Sequence, residues 1–355
     1  MKNNKNSNLD YKKIMNHINS LPVVALMTTG RTGSDYLHSL LDSHPQVLTF
    51  NGHFTVYSDF FSTALTIKND SSIIADIVDE FIGKYIYKFV SKYDYQEAKD
   101  ILGKNKDESI TINTSDFKRH VIQLMKDENL SSRNLLLAFY GSYNICLGNN
   151  IFNTKVFFHH PHVGYELDLF INDFSDLKIV FTTRDPRANF VSNIENFRRY
   201  SLMHDNEVHL YNAMKIMLED CKIDEIHENE DVVIKLEDLP KKNIMESFAN
   251  WLQIDFRESM LNATWAGLEW YGDRLSTKKY KSSYSNIDLE KMPSHNNWEN
   301  RLSKKDKYIF NYILNSRLKF YGYSYNKIYF WDSIFVFFLI PFLFKYEFRY
   351  ISYSY

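Results

Sequence analysis

Cysteine is nearly absent: Cys146 and Cys221 are the only two in 355 residues. They lie far apart and fit no zinc spacing, so neither a disulfide framework nor a cysteine metal site organises the chain. A reduced thiol pair is the plain expectation, with an incidental disulfide as the alternative. Excess charge is lacking too. The net charge of −2 excludes a global basic field for nucleic acid, so any anion site has to be built locally. The polar, Asn- and Lys-rich residues 1–13 lack the apolar centre of a secretory signal, which predicts a cytoplasmic protein. Internal repeats and low-complexity linkers are missing. So is a membrane span: Ile334–Phe344 is apolar throughout but well short of the roughly 20 residues needed. Asp332 precedes it and Pro341 interrupts it. Two readings of this segment stay open. One is a strand or short helix packed on the core. The other is a peripheral foot on the inner membrane face, with Lys345 and Arg349 at the headgroups.

What is present is a folded globular composition, 44% hydrophobic and 24% charged. The 27 Phe and 25 Tyr are expected mostly in the core, because aromatic rings bury large areas. Residues 9–19 have the spacing of a short amphipathic helix. Val23–Met27 reads as a buried strand. Gly30 and Gly33 make a turn, and Ser34–Leu41 follows with helical spacing of Leu37, Leu40 and Leu41. Pro45 stops that helix before a second strand, 47–50. Further strands are expected at 155–158, 177–182 and 232–234. Helices are expected at 73–90, 117–126, 186–197, 244–252 and 304–320. Strands alternating with helices predict an α/β fold, a P-loop-like three-layer sandwich with a central parallel sheet. The predicted domain is 1–330, with 54–150 a helical insertion that shapes the acceptor site and 331–355 an apolar, aromatic C-terminal segment.

The turn after the first strand carries the main chemical signal. In Thr28-Thr29-Gly30-Arg31-Thr32-Gly33-Ser34-Asp35 a buried strand runs into a tight glycine turn and then a helix. That arrangement delivers backbone N–H groups and a helix N-terminus to one point, an electropositive nest for phosphate. Arg31 adds a fixed charge and a planar donor fork, and Thr32 or Ser34 adds a hydroxyl. The turn has no P-loop lysine and no three-glycine dinucleotide fingerprint. The bland alternative is an ordinary βα turn with a capping Ser or Asp.

A second anion signal lies at Lys178–Ser192, where an apolar strand ends in Thr182-Thr183-Arg184-Asp185-Pro186. Arg184 sits at the carboxyl end of the strand, and Ser192 lies two turns into the next helix. An arginine and a hydroxyl converging there suit a phosphate monoester, and open α/β sheets bind ligands beyond those strand ends. The bland alternative is an Arg184–Asp185 pair beside a surface helix.

The first segment, with Leu40-Leu41-Asp42-Ser43-His44-Pro45-Gln46-Val47 after it, resembles the 5′-phosphosulfate loop of sulfotransferases that use PAPS (3′-phosphoadenosine 5′-phosphosulfate). It is most similar to the bacterial carbohydrate branch that includes nodulation-factor enzymes. The second segment resembles that family's 3′-phosphate motif. The likeness is sharp over 21–53 and 177–193 and weak between them. It implies that Gly30, Arg31, Thr32, Gly33, Ser34 and Asp35 surround the phosphosulfate, and that Arg184 and Ser192 hold the 3′-phosphate. It also implies a hydroxyl acceptor on a glycan or glycolipid, with no nucleic acid partner and no metal. Weaker likenesses place Ile234–Leu239 at a strand-to-helix turn and Asn296–Arg301 in a loop over the nucleotide. There Trp298 would stack on adenine and Arg301 would reach a phosphate.

Sulfuryl transfer needs charge stabilisation on the departing phosphate, for which Arg31 is the candidate, and a base on the acceptor. In Phe50-Asn51-Gly52-His53-Phe54, His53 stands where related bacterial enzymes carry Glu, and imidazole suits the role. Asp35 stands where Thr is common; a carboxylate there is expected to point away from the phosphosulfate or to cap the helix. His159, His160 and His162 form the densest histidine cluster. One is expected to line the cleft, and a metal reading would need a fourth ligand. Arg274, Lys278, Lys279 and Lys281 form a basic group suited to an anionic glycan or to solvent. Two rivals remain at this stage: a PAP-binding module without catalysis, and a nucleotide-dependent kinase, which the missing lysine disfavours.

Overall fold

The computed structural model describes residues 9–28, 30–65, 73–90, 102–162, 164–200, 206–223, 231–239, 241–272 and 298–339. Five strands form the main sheet: β1 (Val23–Met27), β2 (Val47–Leu48), β3 (Val156–His162), β4 (Leu177–Thr183) and β5 (Val232–Lys235). Their order is β2-β3-β1-β4-β5. The sheet is parallel and flanked by helices, an α/β fold. All five residues of β1 are buried, as expected of a strand covered on both faces. It feeds the glycine turn and then the helix Ser34–Leu41.

The chain forms two compact units, each assembled from three segments. The first holds 1–27, 34–180 and 238–286, and the second holds 28–33, 181–237 and 287–355.

In the first unit, β1 and β3 pair in register from Val23–Phe157 to Ala25–His159, and the register then shifts so that Met27 faces His162. The extra residue on β3 is a bulge around His160-Pro161, and a proline without an N–H fits such a break in the ladder. β2 ends at Leu48, two residues earlier than its apolar run suggests. Phe50 instead enters a cluster of rings, stacking on Tyr143 at 3.9 Å and on Phe54 at 5.0 Å. The cluster extends through Phe81, Phe117 and Phe139. The expected helices 73–90 and 117–126 are Ile73–Lys84 and Thr114–Leu124. The second starts earlier because Asn113 caps it, accepting from the N–H groups of Ser115 and Asp116. Ser132–Cys146 is a helix that the apolar spacing does not reveal, since its residues are buried from Leu135 to Asn144 without a polar face.

In the second unit, the helices Pro186–Tyr200 and Asn206–Ile223 pack around Phe190, Met214, Met217 and Cys221. Ile309, Phe310 and Leu318 complete that core. The expected single helix 304–320 is two, Lys304–Ile313 and Asn315–Phe320, broken at Leu314. Residues Thr29, Arg274, Lys278, Lys279, Lys281, Asn296, Asn297, Lys345 and Arg349, and the stretch 340–344, lie outside the described residues.

Five of the described imidazoles in the first unit are buried: His38, His44, His120, His159 and His160. Burial pushes His38 and His159 down to about 3 and holds His160 well below its usual range. The unfolded chain therefore takes up protons near pH 6.5 that the native state refuses. Their contribution to stability is complete above about pH 6.5 and is lost as pH falls towards 3, by at most about 1.4 kcal/mol per pH unit for each ring. Urea midpoints measured from pH 7 to pH 4 are expected to fall steeply. His159→Phe, at a position already stacked on Phe170 at 4.8 Å, is expected to flatten that slope by about one proton.

Candidate active site

The second unit builds an anion cradle. Gly30, Arg31 and Gly33 all have positive φ, at 117°, 61° and 92°. For Arg31 that conformation costs on the order of 1 kcal/mol or more, and the surroundings hold it. Asn189 donates from Nδ2 to the Gly30 carbonyl at 3.0 Å. Thr32 is fully buried, with its hydroxyl between those of Thr28 and Thr182. It therefore ties the turn to the end of β4. At Gly33 a Cβ would stand 2.5 Å from Leu236 Cδ1, so the turn and the start of the Leu236 segment approach as only glycine permits.

The two sequence signals meet inside this unit. Arg31 Nε donates to Ser192 Oγ at 3.2 Å across 161 residues. Arg184 Nη1 lies 3.5 Å from the Arg31 carbonyl. The alternative Arg184–Asp185 pair does not form among the described contacts. Asp185 is held instead by Arg187, which donates from Nε at 2.9 Å and from Nη2 at 2.7 Å. The same carboxylate caps the helix, accepting from the Arg187 N–H at 3.0 Å. Arg184 Nε is buried with no hydrogen-bond partner among the described residues. Burial pushes the Arg184 guanidinium down from its usual value, Glu237 pulls it up and the like charge of Arg31 pushes it down again. Two guanidinium groups and a hydroxyl thus converge, with one buried N–H awaiting an acceptor. A phosphate or sulfate would satisfy that N–H and screen the repulsion.

Trp298 and Arg301 lie elsewhere in the unit. Trp298 is 6% exposed and belongs to the apolar core. The Arg187 guanidinium covers its ring at 4.1 Å, so the face expected to meet adenine meets a structural arginine. Arg301 is exposed and lines a cavity of about 250 Å³ with Phe190, Val191 and Ile194. Arg187, Asn189 and Glu237 are the supporting residues that sequence reasoning passed over. Glu237 accepts from the Asp185 N–H at 3.0 Å and from the Tyr323 hydroxyl at 3.1 Å.

The first unit builds a proton-handling cluster. His53 Nδ1 lies 3.3 Å from Asp35 Oδ1, so the Asp35 carboxylate is turned to the imidazole. Ser34, beside it at the start of that helix, is buried. Both members of the pair are partly open, at 38% and 35% side-chain exposure. Burial alone would raise the Asp35 carboxyl. His53 most strongly, and His160 and His162 after it, hold it well below the carboxylate range. A carboxylate accepting from Nδ1–H leaves Nε2 of His53 with its lone pair, the tautomer a general base requires.

Behind the pair runs a chain of imidazoles. His160 Nδ1 is 3.8 Å from Asp35 and 3.3 Å from His38 Nδ1. His162 Nδ1 is 3.2 Å from His160 Nε2, and His38 Nε2 is 2.8 Å from the Thr49 hydroxyl. His162 stacks on His53 at 4.4 Å. His159 points to the opposite face of β3, within 2.6 Å of the Tyr140 hydroxyl. Among the described residues no His, Cys, Asp or Glu group is arranged to hold a metal ion. The loop carrying His53 is pinned by a buried ammonium: Lys88 Nζ donates to the carbonyls of Asn51 and His53, each at 2.8 Å. At Gly52 a Cβ would stand 2.5 Å from the Trp265 ring.

No family model and no curated protein matches the chain. Three solved structures align with it along most of their length. The sulfotransferase domain of a Synechococcus olefin synthase is 15% identical, covering 80% of this chain and 89% of that one, with a TM-score of 0.37. The sulfotransferase domain of the curacin biosynthetic pathway is 14% identical, covering 68% and 77%, with a TM-score of 0.39. A sulfotransferase from Mycobacterium avium is 10% identical, covering 90% and 82%, with a TM-score of 0.41. At such values the likeness fixes neither ligand nor reaction, and the chemistry has to come from the residues themselves.

Pyrophosphate, as a simple two-anion probe, is expected to raise the melting temperature of the protein in a thermal-shift titration. At a hundredfold excess over its dissociation constant the gain is about 2.7 kcal/mol. Arg184→Ala and Arg31→Ala are each expected to abolish most of the shift. An undiminished shift in both variants would place the anion elsewhere.

Proposed function

We propose that this protein is a sulfotransferase that moves the sulfuryl group of PAPS to a hydroxyl of a glycan or glycolipid. The observation that carries this reading is the convergence of Arg31, Arg184 and Ser192 in one unit, with the buried Arg184 Nε unpartnered among the described residues. The donor supplies an activated sulfuryl group on a phosphate leaving group. Arg31 stabilises the charge that gathers on that phosphate as the S–O bond breaks. Arg184 and Ser192 hold the 3′-phosphate. The acceptor oxygen forms the new S–O bond, and its proton passes to His53 Nε2. Asp35 keeps His53 in the right tautomer and stabilises the imidazolium that forms. Sulfate ester, PAP and one proton leave together.

The carbohydrate acceptor rests on the resemblance of the two anion motifs to the bacterial carbohydrate branch. Incubation with labelled PAPS and a panel of cell-envelope glycans tests both halves of the reading. PAP binding without transfer to any glycan would leave a nucleotide-binding module, and transfer of phosphate from labelled ATP would indicate a kinase.

Two sets of variants resolve the roles. Arg184→Ala is expected to weaken PAP more than adenosine 5′-phosphosulfate, because the lost contact is a charge-assisted bond worth about 1.5–3 kcal/mol. Calorimetric titration of both ligands checks this, and equal losses would assign Arg184 to another group. His53→Ala is expected to keep PAP affinity and to cut turnover by about a hundredfold to ten-thousandfold. Turnover of the parent enzyme falls on acidification as the imidazole takes up its proton. In Asp35→Asn the imidazolium loses its counter-charge, so the acid limb of the pH–rate profile moves to lower pH while the maximal rate drops. His53→Glu should recover part of the activity with a profile shifted downward. Full turnover in His53→Ala would place the base elsewhere.

A further inference from the structure

The C-terminal helix Phe330–Leu339 is built inside out. Asp332, Ser333 and the ring of Phe335, 5.2 Å from that of Tyr308, tie it to the second unit. Asp332 accepts from the Tyr308 hydroxyl at 2.7 Å and from the Tyr329 N–H at 2.6 Å. Ser333 Oγ accepts from the Tyr312 hydroxyl at 2.8 Å. The large rings face outward: Phe330 is 75% exposed, Trp331 74%, Phe337 67% and Phe338 66%. At about 100° per residue these four fall within an arc of roughly 120°, away from Asp332 and Ser333. An amphipathic helix docked on an aqueous domain has the reverse polarity.

The patch is concentrated. Of the thirteen large apolar residues exposed among the described residues, eight lie between Phe320 and Phe338. Lys319 and Lys327 are exposed beside them. The sequence beyond the helix continues in kind, with Phe342, Phe344 and Phe348 interleaved with Lys345 and Arg349. A contiguous apolar surface of this sort marks an interaction site. Rings of Trp, Tyr and Phe bordered by lysines are the composition of a segment at the headgroup boundary of an anionic bilayer. The helix is about 15 Å long at about 1.5 Å per residue, too short for a hydrocarbon core of about 30 Å. No helix among the described residues is long and apolar enough to cross a membrane.

We infer that the exposed face of Phe330–Leu339 binds a lipid surface, lying in the interface with its rings among the acyl chains and the flanking lysines at anionic headgroups. The helix does not cross the bilayer. Its tyrosine contacts hold the second unit against the membrane. This inference stands independently of the reaction proposed above.

The test is flotation of the full chain with phosphatidylcholine vesicles containing a minor fraction of phosphatidylglycerol. The parent protein is expected to float with the vesicles. The double variant F337D/F338D, altered at two exposed positions, is expected to keep its melting temperature and to partition on the order of a hundredfold more weakly. Fluorescence of the parent protein is expected to be quenched by brominated lipid, with Trp331→Phe removing the quenched component. Failure of the parent protein to float, or equal flotation of the double variant, would overturn the inference. So would a dimer in sedimentation velocity that F337D/F338D dissociates, since a second copy of the chain would then cover this face. If the double variant does not fold, the quenching of Trp331 decides alone, and its absence counts against the inference.

Discussion

The bidentate contact between Asp185 and Arg187 fixes how the second unit handles charge. An arginine followed directly by an aspartate would ordinarily neutralise itself. Here the aspartate is turned inward, caps the helix Pro186–Tyr200 and is held by an arginine whose other face covers Trp298. Arg184 is left facing Arg31 across the end of β4. The Glu237 carboxylate offsets the like charge of Arg31 there, and the left-handed backbone at Arg31 adds strain. The threonine ladder Thr28–Thr32–Thr182 and the Asn189 contact to Gly30 hold the turn in place.

The first unit solves a different problem, that of keeping one imidazole ready among several. His38 and His160 are buried and neutral, so they relay hydrogen bonds without adding charge. The Asp35 carboxylate is directed to His53. An aspartate where Thr is common and a histidine where Glu is common therefore have one explanation. The two departures meet in one contact, a carboxylate paired with an imidazole.

Local signals were read well from the sequence and through-space ones were not. β1 and the helix Ser34–Leu41 are delimited by Pro22, Gly30, Gly33 and Pro45, so both ends were visible. The convergence of Arg31 and Ser192 followed from the motifs. Ser132–Cys146 falls within the expected helical insertion 54–150, but its bounds are not marked because a helix buried on every side has no period. β2 was overread because Phe50 is as apolar as a strand residue but belongs to a ring cluster. The Asp35–His53 pair, the Lys88 pin and the Arg187–Trp298 contact join residues 18, 35 and 111 positions apart. No spacing rule connects them. Exposure of the last helix could not be read either, because an apolar run reads alike on a core and on a membrane.

The interleaving of the two units has a consequence for the order in which the chain acquires structure. Residues 28–33 are made early but belong with residues that appear much later: Thr32 bonds Thr182 at a separation of 150 and Arg31 bonds Ser192 at 161. At roughly 5–20 residues per second, translation leaves the turn waiting roughly 10–30 s for its partners. Throughout that interval the turn has only its local contacts, Thr28 to Thr32 and to the Gly30 N–H. A nascent chain halted before β4 therefore carries the complete turn in its covalent sequence without the contacts to Thr182, Asn189 and Ser192, and long-range closure of this kind is the slow class of folding event.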